Sequence, residues 1–343
     1  MTIGSSRPVS IRDVARRAGV SHQTVSRVIN QSNQVKPATK ARVEAAIQDL
    51  DYRPNSLAQA FARGRSGRIG VLIEGSSLYG PLSMMRGVEL AAREAGYTST
   101  AFTVTGESAS ELSDGVRFLN DQRVDAVAVI LPREQSLHAL PELPEASVLI
   151  GTRPSRVDPG GEDGTAGLPW VGVNQRLGTE LVVRHLLDRG HRVIAHITGP
   201  AESLDSQART VRWQELMREA GLGDEFVIPG DWSADAGYAA APACAQIPGL
   251  TAVFAGNDQM ALGLTHGLAE LGLRVPDDIS VVGFDDLPES GHFLPPLTTV
   301  RQNFEELGRV GMAVILRGLN DELSRESLEI DPTLVIREST SIR

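Results

Sequence analysis

The 343-residue chain holds a single cysteine, Cys244, so no internal disulfide can form. No run of about 18 apolar residues occurs, which excludes a membrane-spanning helix. The first residues, Met-Thr-Ile-Gly-Ser-Ser-Arg-Pro, lack an apolar h-region, so no secretory signal is expected. These three absences fit a reducing cytoplasm. Enzyme motifs are missing as well. Gly75-Ser-Ser-Leu-Tyr79 fails the last position of G-x-S-x-G, and neither G-x-x-x-x-G-K-[ST] nor G-x-G-x-x-G occurs. His191 and His196 are five apart on an expected strand, so they point to opposite faces and make no metal pair. Asp285-Asp286 has no partnered base. No catalysis, metal or cofactor is expected. Aromatics are scarce at 4%, so one that falls beside a polar cluster carries weight.

Charge is divided unevenly. Residues 1–68 hold 12 Lys and Arg against 4 Asp and Glu, a net of +8 that leaves −18 on the rest of a chain totalling −10. A basic head on an acidic body suits a DNA reader whose body repels phosphate; uneven charge also simply aids solubility.

The basic segment contains the most informative stretch, Ser10 to Asn30. Ser10 is a candidate N-cap, with Asp13 placed to reach back to it. Ile11, Val14, Ala15 and Ala18 share an apolar face, and Gly19 stands where a helix ends in positive φ. Ser21 caps a second helix whose Val25, Val28 and Ile29 turn inward. His22, Gln23, Thr24, Ser26, Arg27 and Asn30 are left facing out. Such side chains match base edges and phosphates, so the pattern reads as a helix-turn-helix entering a major groove; a solvated polar face is the bland alternative. Pro37 to about Leu50 predicts a third helix closing a small core. Arg53 to Gly64 follows as a linker, in which Asn55 can cap two turns over Ser56–Ala62; a helix this short does not persist alone.

From Arg68 the pattern becomes βα alternation. Strands are expected at Ile69–Ile73, Thr98–Val104, Ala126–Leu131, Ser147–Ile150 and Trp170–Val173, with helices at Pro81–Ala95, Glu107–Asn120 and Asn174–Asp188. A second set places strands at Val193–Ile197, Phe226–Ile228, Ala252–Phe254 and Ser280–Val282, and helices at Asp205–Glu219, Ala234–Ala245 and Asp258–Glu270. Two such sets imply two parallel-sheet subdomains, with ligand bound in the cleft at the carboxyl ends of the strands. Glu74, Asn257, Asp285 and Gln302 sit at strand ends or the loops after them, Arg209 enters from a neighbouring segment, and Trp232 and Phe304 lie beside the cleft. Carboxylates, an amide and an arginine pair with vicinal hydroxyls, and an aromatic face packs on a sugar's C–H face, so a carbohydrate fits. Asp285 and Asp286 as structural caps, and Trp232 as ordinary core, are the plainer alternatives.

Ser-His-Gln-Thr-Val-Ser-Arg-Val-Ile-Asn, Tyr52-Arg53-Pro54-Asn55, Gly256-Asn257-Asp258-Gln259-Met260-Ala261, Val282-Gly283-Phe284-Asp285-Asp286 and Pro296-Leu297-Thr298-Thr299 together resemble the lactose/galactose repressor family of bacterial transcription regulators. The resemblance covers nearly the whole chain. It implies an all-α helix-turn-helix headpiece (7–52), a hinge (53–65) and an α/β periplasmic-binding-protein-like core of two subdomains (66–343). The first subdomain would take about 66–170 and 303–330, the second about 171–300 and 331–343, with chain crossings near Val171, Val300 and Asp331. It implies DNA contacts from Ser10, Ile11, Ser21, the outward side chains of the second helix and Asn55, and two hinge copies that meet in the minor groove of a near-palindromic operator. Phe61 stands at the position of the wedge, where the lactose-type pattern has leucine; packing on the body is its other reading. It assigns sugar contacts to Arg209, Asn257, Asp285 and Gln302, and apolar walls to Trp232, Phe304, Leu78, Pro81 and Met84. Glu74 departs from a serine and Gly151 from an aspartate, which leaves the sugar undetermined. The chain ends without a leucine-heptad tail, so a homodimer is expected. The expected activity is repression relieved by a small sugar. A corepressor-dependent regulator, and less so a sugar-binding transport protein, share the fold.

Overall fold

The computed structural model describes residues 9–29, 35–52, 65–75, 78–105, 109–153, 168–320, 322 and 327–343. Met1–Ser66 and Gly67–Arg343 form two compact units.

In the first unit, α1 (Ile11–Ala18), α2 (His22–Ile29) and α3 (Pro37–Asp49) enclose Val14, Ala15, Ala18, Val25, Val28, Val43 and Ala46. The ends are chemically specified. Asp13 Oδ2 accepts from both the Ser10 backbone N–H (3.0 Å) and the Ser10 hydroxyl (2.6 Å). Gly19 takes φ +65°, and Val20 N–H reaches back to the Ala15 carbonyl. Ser21 Oγ accepts from Thr24 N–H at 3.2 Å. Arg17 bridges to Asp49 at 2.6 Å across α1 and α3, an exposed pair that adds little.

The second unit runs β1 (Arg68–Glu74), α4 (Tyr79–Glu94), β2 (Thr98–Val104), α5 (Ala109–Asp121), β3 (Ala126–Ile130), α6 (Glu134–His138), β4 (Val148–Ile150), β5 (Trp170–Val173), α7 (Gln175–Asp188), β6 (Ile194–Ile197), α8 (Leu204–Glu219), β7 (Val227–Ile228), α9 (Ala234–Gln246), β8 (Ala252–Ala255), α10 (Asp258–Glu270), β9 (Ser280–Val282), β10 (Thr299–Arg301), α11 (Phe304–Leu319), β11 (Leu328–Ile330) and β12 (Thr333–Val335). A six-stranded sheet of order β11-β5-β4-β3-β1-β2 and a four-stranded sheet of order β7-β6-β8-β9 are both wholly parallel. In the larger sheet Ile69, Val71 and Ile73 face α4 and α11, while Leu72, Val127 and Val129 face α5. Burial on both sides explains the unbroken apolar runs of these strands.

One expectation needs correction, and several elements had none. The first crossing, placed near Val171, falls inside β5, whose Trp170 and Val171 pair with β4; the chain leaves the first sheet at Asn174. β10 and β12 form a separate antiparallel ribbon, not a strand of either parallel sheet. The short helix α6, the sixteen-residue helix α11 and the strands β10, β11 and β12 were not foreseen. The other crossings run through Gln302–Asn303 and Asp331–Pro332, where β11 of one sheet passes directly to β12 of the ribbon. Asn174 Nδ2 donates to Asp331 Oδ1 at 3.4 Å, joining two of the three crossings.

Candidate functional site

Each unit contains a candidate surface. On the first, α2 leaves His22, Gln23 and Arg27 exposed and Thr24 and Ser26 partly so, because Val25 and Val28 are spent on the core. Ser21 is exposed ahead of them. Two of the expected DNA contacts are otherwise engaged: the Ser10 hydroxyl donates to Asp13, and Ile11 packs half-buried on the helical core. Asn30, Asn55 and Phe61 lie outside the described residues.

In the second unit, a cavity of about 210 Å³ opens between the carboxyl ends of the two parallel sheets. Nine of the ten expected effector residues line it: Glu74, Leu78, Pro81, Met84, Arg209, Trp232, Asn257, Asp285 and Phe304. Gln302 does not. It is buried behind Asp285 and donates to Asp285 Oδ1 at 2.7 Å. Gln302 follows β10 directly, and a side chain's direction at a strand end is not fixed by its position in the sequence.

Arg209 is the central group. Its guanidinium is buried, lies 3.9 Å from the Phe284 ring centroid and 5.3 Å from that of Trp232, and donates to Gln175 Oε1 at 2.9 Å and to the Gly256 carbonyl. Asp285 Oδ1 stands 3.9 Å from Nη2. Gln175 Nε2 donates in turn to Gln302 Oε1 at 2.8 Å. Arg209, Gln175, Gln302 and Asp285 thus close a ring, two of whose members sit on chain crossings. Burial depresses the Arg209 pKa, with Asp285 opposing.

Asp285 is held at φ +114° and Asp286 at +53°, conformations that non-glycine residues adopt only under constraint. The constraint is visible. Asp286 accepts from Arg301 Nε (2.6 Å) and Arg337 Nη2 (2.7 Å), so it is the structural clamp, and its neighbour is turned to the cavity. Burial pushes the Asp285 carboxyl up to about 7; Arg209 pulls it down, Asp258 raises it, and the Gln302 hydrogen bond lowers it. The folded state therefore holds a proton that the unfolded chain releases near the ordinary value of 3.8. That contribution to stability is present below 3.8 and is lost as pH rises through 7. Asp285→Asn removes it, so the unfolding temperature of the variant relative to the parent should rise between pH 5 and pH 8. A difference that stays constant over that range would show that Asp285 is ionised throughout.

Asn257 caps α10 by accepting from Met260 N–H (2.9 Å), and its Nδ2 donates to the Trp232 carbonyl (2.9 Å). Its amide is spent on shaping the wall: it holds Trp232, itself at φ +74°. Gly199 supplies the room, since a Cβ there would lie 2.1 Å from the indole. Phe304 packs edge-on to Tyr79 at 5.8 Å. Gly151, at φ +145°, lines the cavity where the family pattern has aspartate.

Sequence reasoning missed Arg133, Glu202 and Asp205, all of which line the cavity. Arg133 forms an ion pair with Glu74, and Ser136 donates to the other Glu74 oxygen at 3.0 Å. Arg133 follows β3 at its carboxyl end, the position from which ligand groups are recruited. Asp205 lies four residues before Arg209, hence on the same face of α8, a spacing that could have nominated it. Thr152, in the loop after β4, donates across the cleft to Asp205, and Arg133 makes an isolated backbone bridge to Ser203. Among the described residues no cluster of three His, Cys, Asp or Glu could hold a metal, and no helix is long and apolar enough to cross a membrane. His196 is stacked on Phe254 in the interior, and burial lowers its pKa to about 4.

Known proteins divide the chain in the same two pieces. Residues 10–55 match the bacterial regulatory proteins of the lacI family, and residues 183–340 match a periplasmic binding protein-like domain. The ribose operon repressor of Escherichia coli (strain K12) is 33% identical over 339 residues, covering 96% of this chain and 99% of that protein. The repressor PurR of Vibrio vulnificus is also 33% identical, covering 96% and 98%. The lac repressor dimer bound to operator and the anti-inducer ONPF superimposes with a TM-score of 0.83 at 30% identity, over 98% of this chain and all of that one. These relatives are transcriptional repressors. With a capped helix-turn-helix, a cleft between two parallel sheets, and full-length similarity at both, the chain belongs to the lacI family of bacterial regulatory proteins.

Proposed function

We propose that the protein is a cytoplasmic, homodimeric repressor that binds a near-palindromic operator and releases it when a small carbohydrate fills the cavity, with no catalytic role. The observation that carries this reading is the convergence of Arg209 and Asp285 with the aromatic walls Trp232 and Phe304 in one cleft. A sugar offers hydroxyls to the first pair and C–H faces to the second. Dimerisation would set two α2 helices in successive major grooves, about one helical turn apart. Phe61 would wedge into the minor groove between them. Because Gln175 and Gln302 join the ligand-facing pair to two chain crossings, occupancy would bias the angle between the halves. Operator binding must weaken effector binding by the same factor.

Operator affinity measured against a panel of monosaccharides and disaccharides tests the proposal and gives its sign. Weakening by a sugar supports induction; strengthening makes the ligand a corepressor. On the DNA side, Gln23 is placed to pair bidentately with adenine. Gln23→Ala is expected to relax discrimination at one base pair per half-site by about 1–3 kcal/mol. Equal loss on every sequence would mean that Gln23 touches only the backbone.

A further inference from the structure

The cavity wall has an unusual charge composition. Four carboxylates line it, Glu74, Glu202, Asp205 and Asp285, against two guanidiniums, Arg133 and Arg209. Both guanidiniums are committed. Arg209 lies against Phe284, gives Nε to Gln175 and Nη1 to the Gly256 carbonyl, and has its charge balanced by Asp285, whose Oδ1 stands 3.9 Å from Nη2. Arg133 is paired with Glu74, with side-chain exposures of only 15% and 9%. The first turn of α8, where a helix end would welcome an anion, already carries its own, Asp205. A phosphate or carboxylate entering the cavity would thus meet an excess of carboxylates and, among the described lining residues, no cation that does not already face one. An uncharged polyol brings hydroxyl donors to the same acceptors.

We propose that the Glu74–Arg133 pair, with Asp205 on the opposite half, makes the cavity a charge filter that admits an uncharged polyol and rejects its phosphate ester or uronic acid. The proposal rests on the reading of the cavity as the effector site. It also gives Glu74 a role: a carboxylate there removes Arg133 from the recognition of anions.

The test is titration of the full-length chain, followed by tryptophan fluorescence, with matched sets: D-ribose and ribose 5-phosphate; D-glucose, glucose 6-phosphate and glucuronate; D-galactose and galacturonate. For any set whose neutral member binds, the charged members are expected to bind at least about a hundredfold more weakly. Glu74→Gln removes the negative charge paired with Arg133 and should narrow that gap to about tenfold or less; Asp205→Asn should narrow it independently and serves if Glu74→Gln does not fold. A charged sugar that binds the parent chain as tightly as its neutral form overturns the filter while leaving the carbohydrate reading standing. So does a gap unchanged in a variant that still binds the neutral sugar, since exclusion is then steric. A panel in which nothing binds overturns both readings.

Discussion

Arg209→Ala is expected to leave operator binding intact and to shift its response to effector concentrations at least about ten- to a hundredfold higher. The DNA-reading helices belong to a unit with its own core, which the substitution does not touch. A charged hydrogen bond lost to a ligand costs about 1.5–3 kcal/mol, or ten- to a hundredfold in affinity. The structure adds a second cost. The guanidinium holds Asp285 and Gln175 in place, and its removal leaves a buried carboxylate without its cation, a class of change worth about 3–5 kcal/mol. Asp285 can escape that penalty by taking up a proton, so the loss of stability should be smaller at pH 5 than at pH 8. Arg209→Lys keeps the charge but not the planar fork that serves Gln175 and the Gly256 carbonyl together, so it should respond poorly too. The measurement is operator affinity with and without the responding sugar, below the unfolding temperature. A variant that responds at the same sugar concentration as the parent would remove Arg209 from the site.

Gly263→Val is expected to destabilise the second unit by at least about 3 kcal/mol. Helices α9 and α10 approach so closely that a Cβ on Gly263 would stand 1.7 Å from the Ala234 carbonyl oxygen, and one on Gly237 2.0 Å from that of Met260. In both cases the obstacle is backbone, so a helix must move. Mid-helix glycine ordinarily costs about 1 kcal/mol relative to alanine, and here it is retained because the close approach leaves no space for a side chain. The effect should reach the ligand. α9 starts just beyond Trp232 and α10 just beyond Asn257, so separating the helices displaces two parts of the cavity wall. Urea unfolding should show a lower midpoint, with effector affinity reduced in the molecules that remain folded. A Gly263→Ala chain as stable as the parent would mean that the packing is looser than described.

Most helices, though not α6 or α11, and the long strands were legible because their signals are local. Ser10 with Asp13, Gly19 at the end of α1, the seven-residue β2 and the whole of α10 lie where periodicity and capping place them. The three-residue strands β4 and β9 were readable because they are buried apolar runs, whereas β10, β11 and β12 mix buried or half-buried with exposed positions and carry no such run. The cavity was legible as a set of positions at strand ends and less so as a set of roles. Gln302 turned out to brace Asp285, and Asn257 to hold Trp232, because hydrogen-bond partners depend on direction as well as position. Arg133 and Asp205 went unseen since their importance comes from groups opposite them, Glu74 and Thr152, that are remote in sequence.

The threefold passage of the chain between its sheets has a consequence for biosynthesis. The larger sheet receives β1 to β5 by Val173, yet α11, which covers one of its faces, begins only at Phe304, and its edge strand β11 only at Leu328. Ile69, Val71, Ile73, Met84 and Val88 need Leu307, Met312 and Ile315 to complete their cluster. On a ribosome adding about 5–20 residues per second, the intervening segment of about 130 residues takes on the order of ten seconds to appear. For that interval the nascent first half presents an uncovered apolar face. The second half, whose sheet is complete by Val282, is the part positioned to fold while the first is waiting.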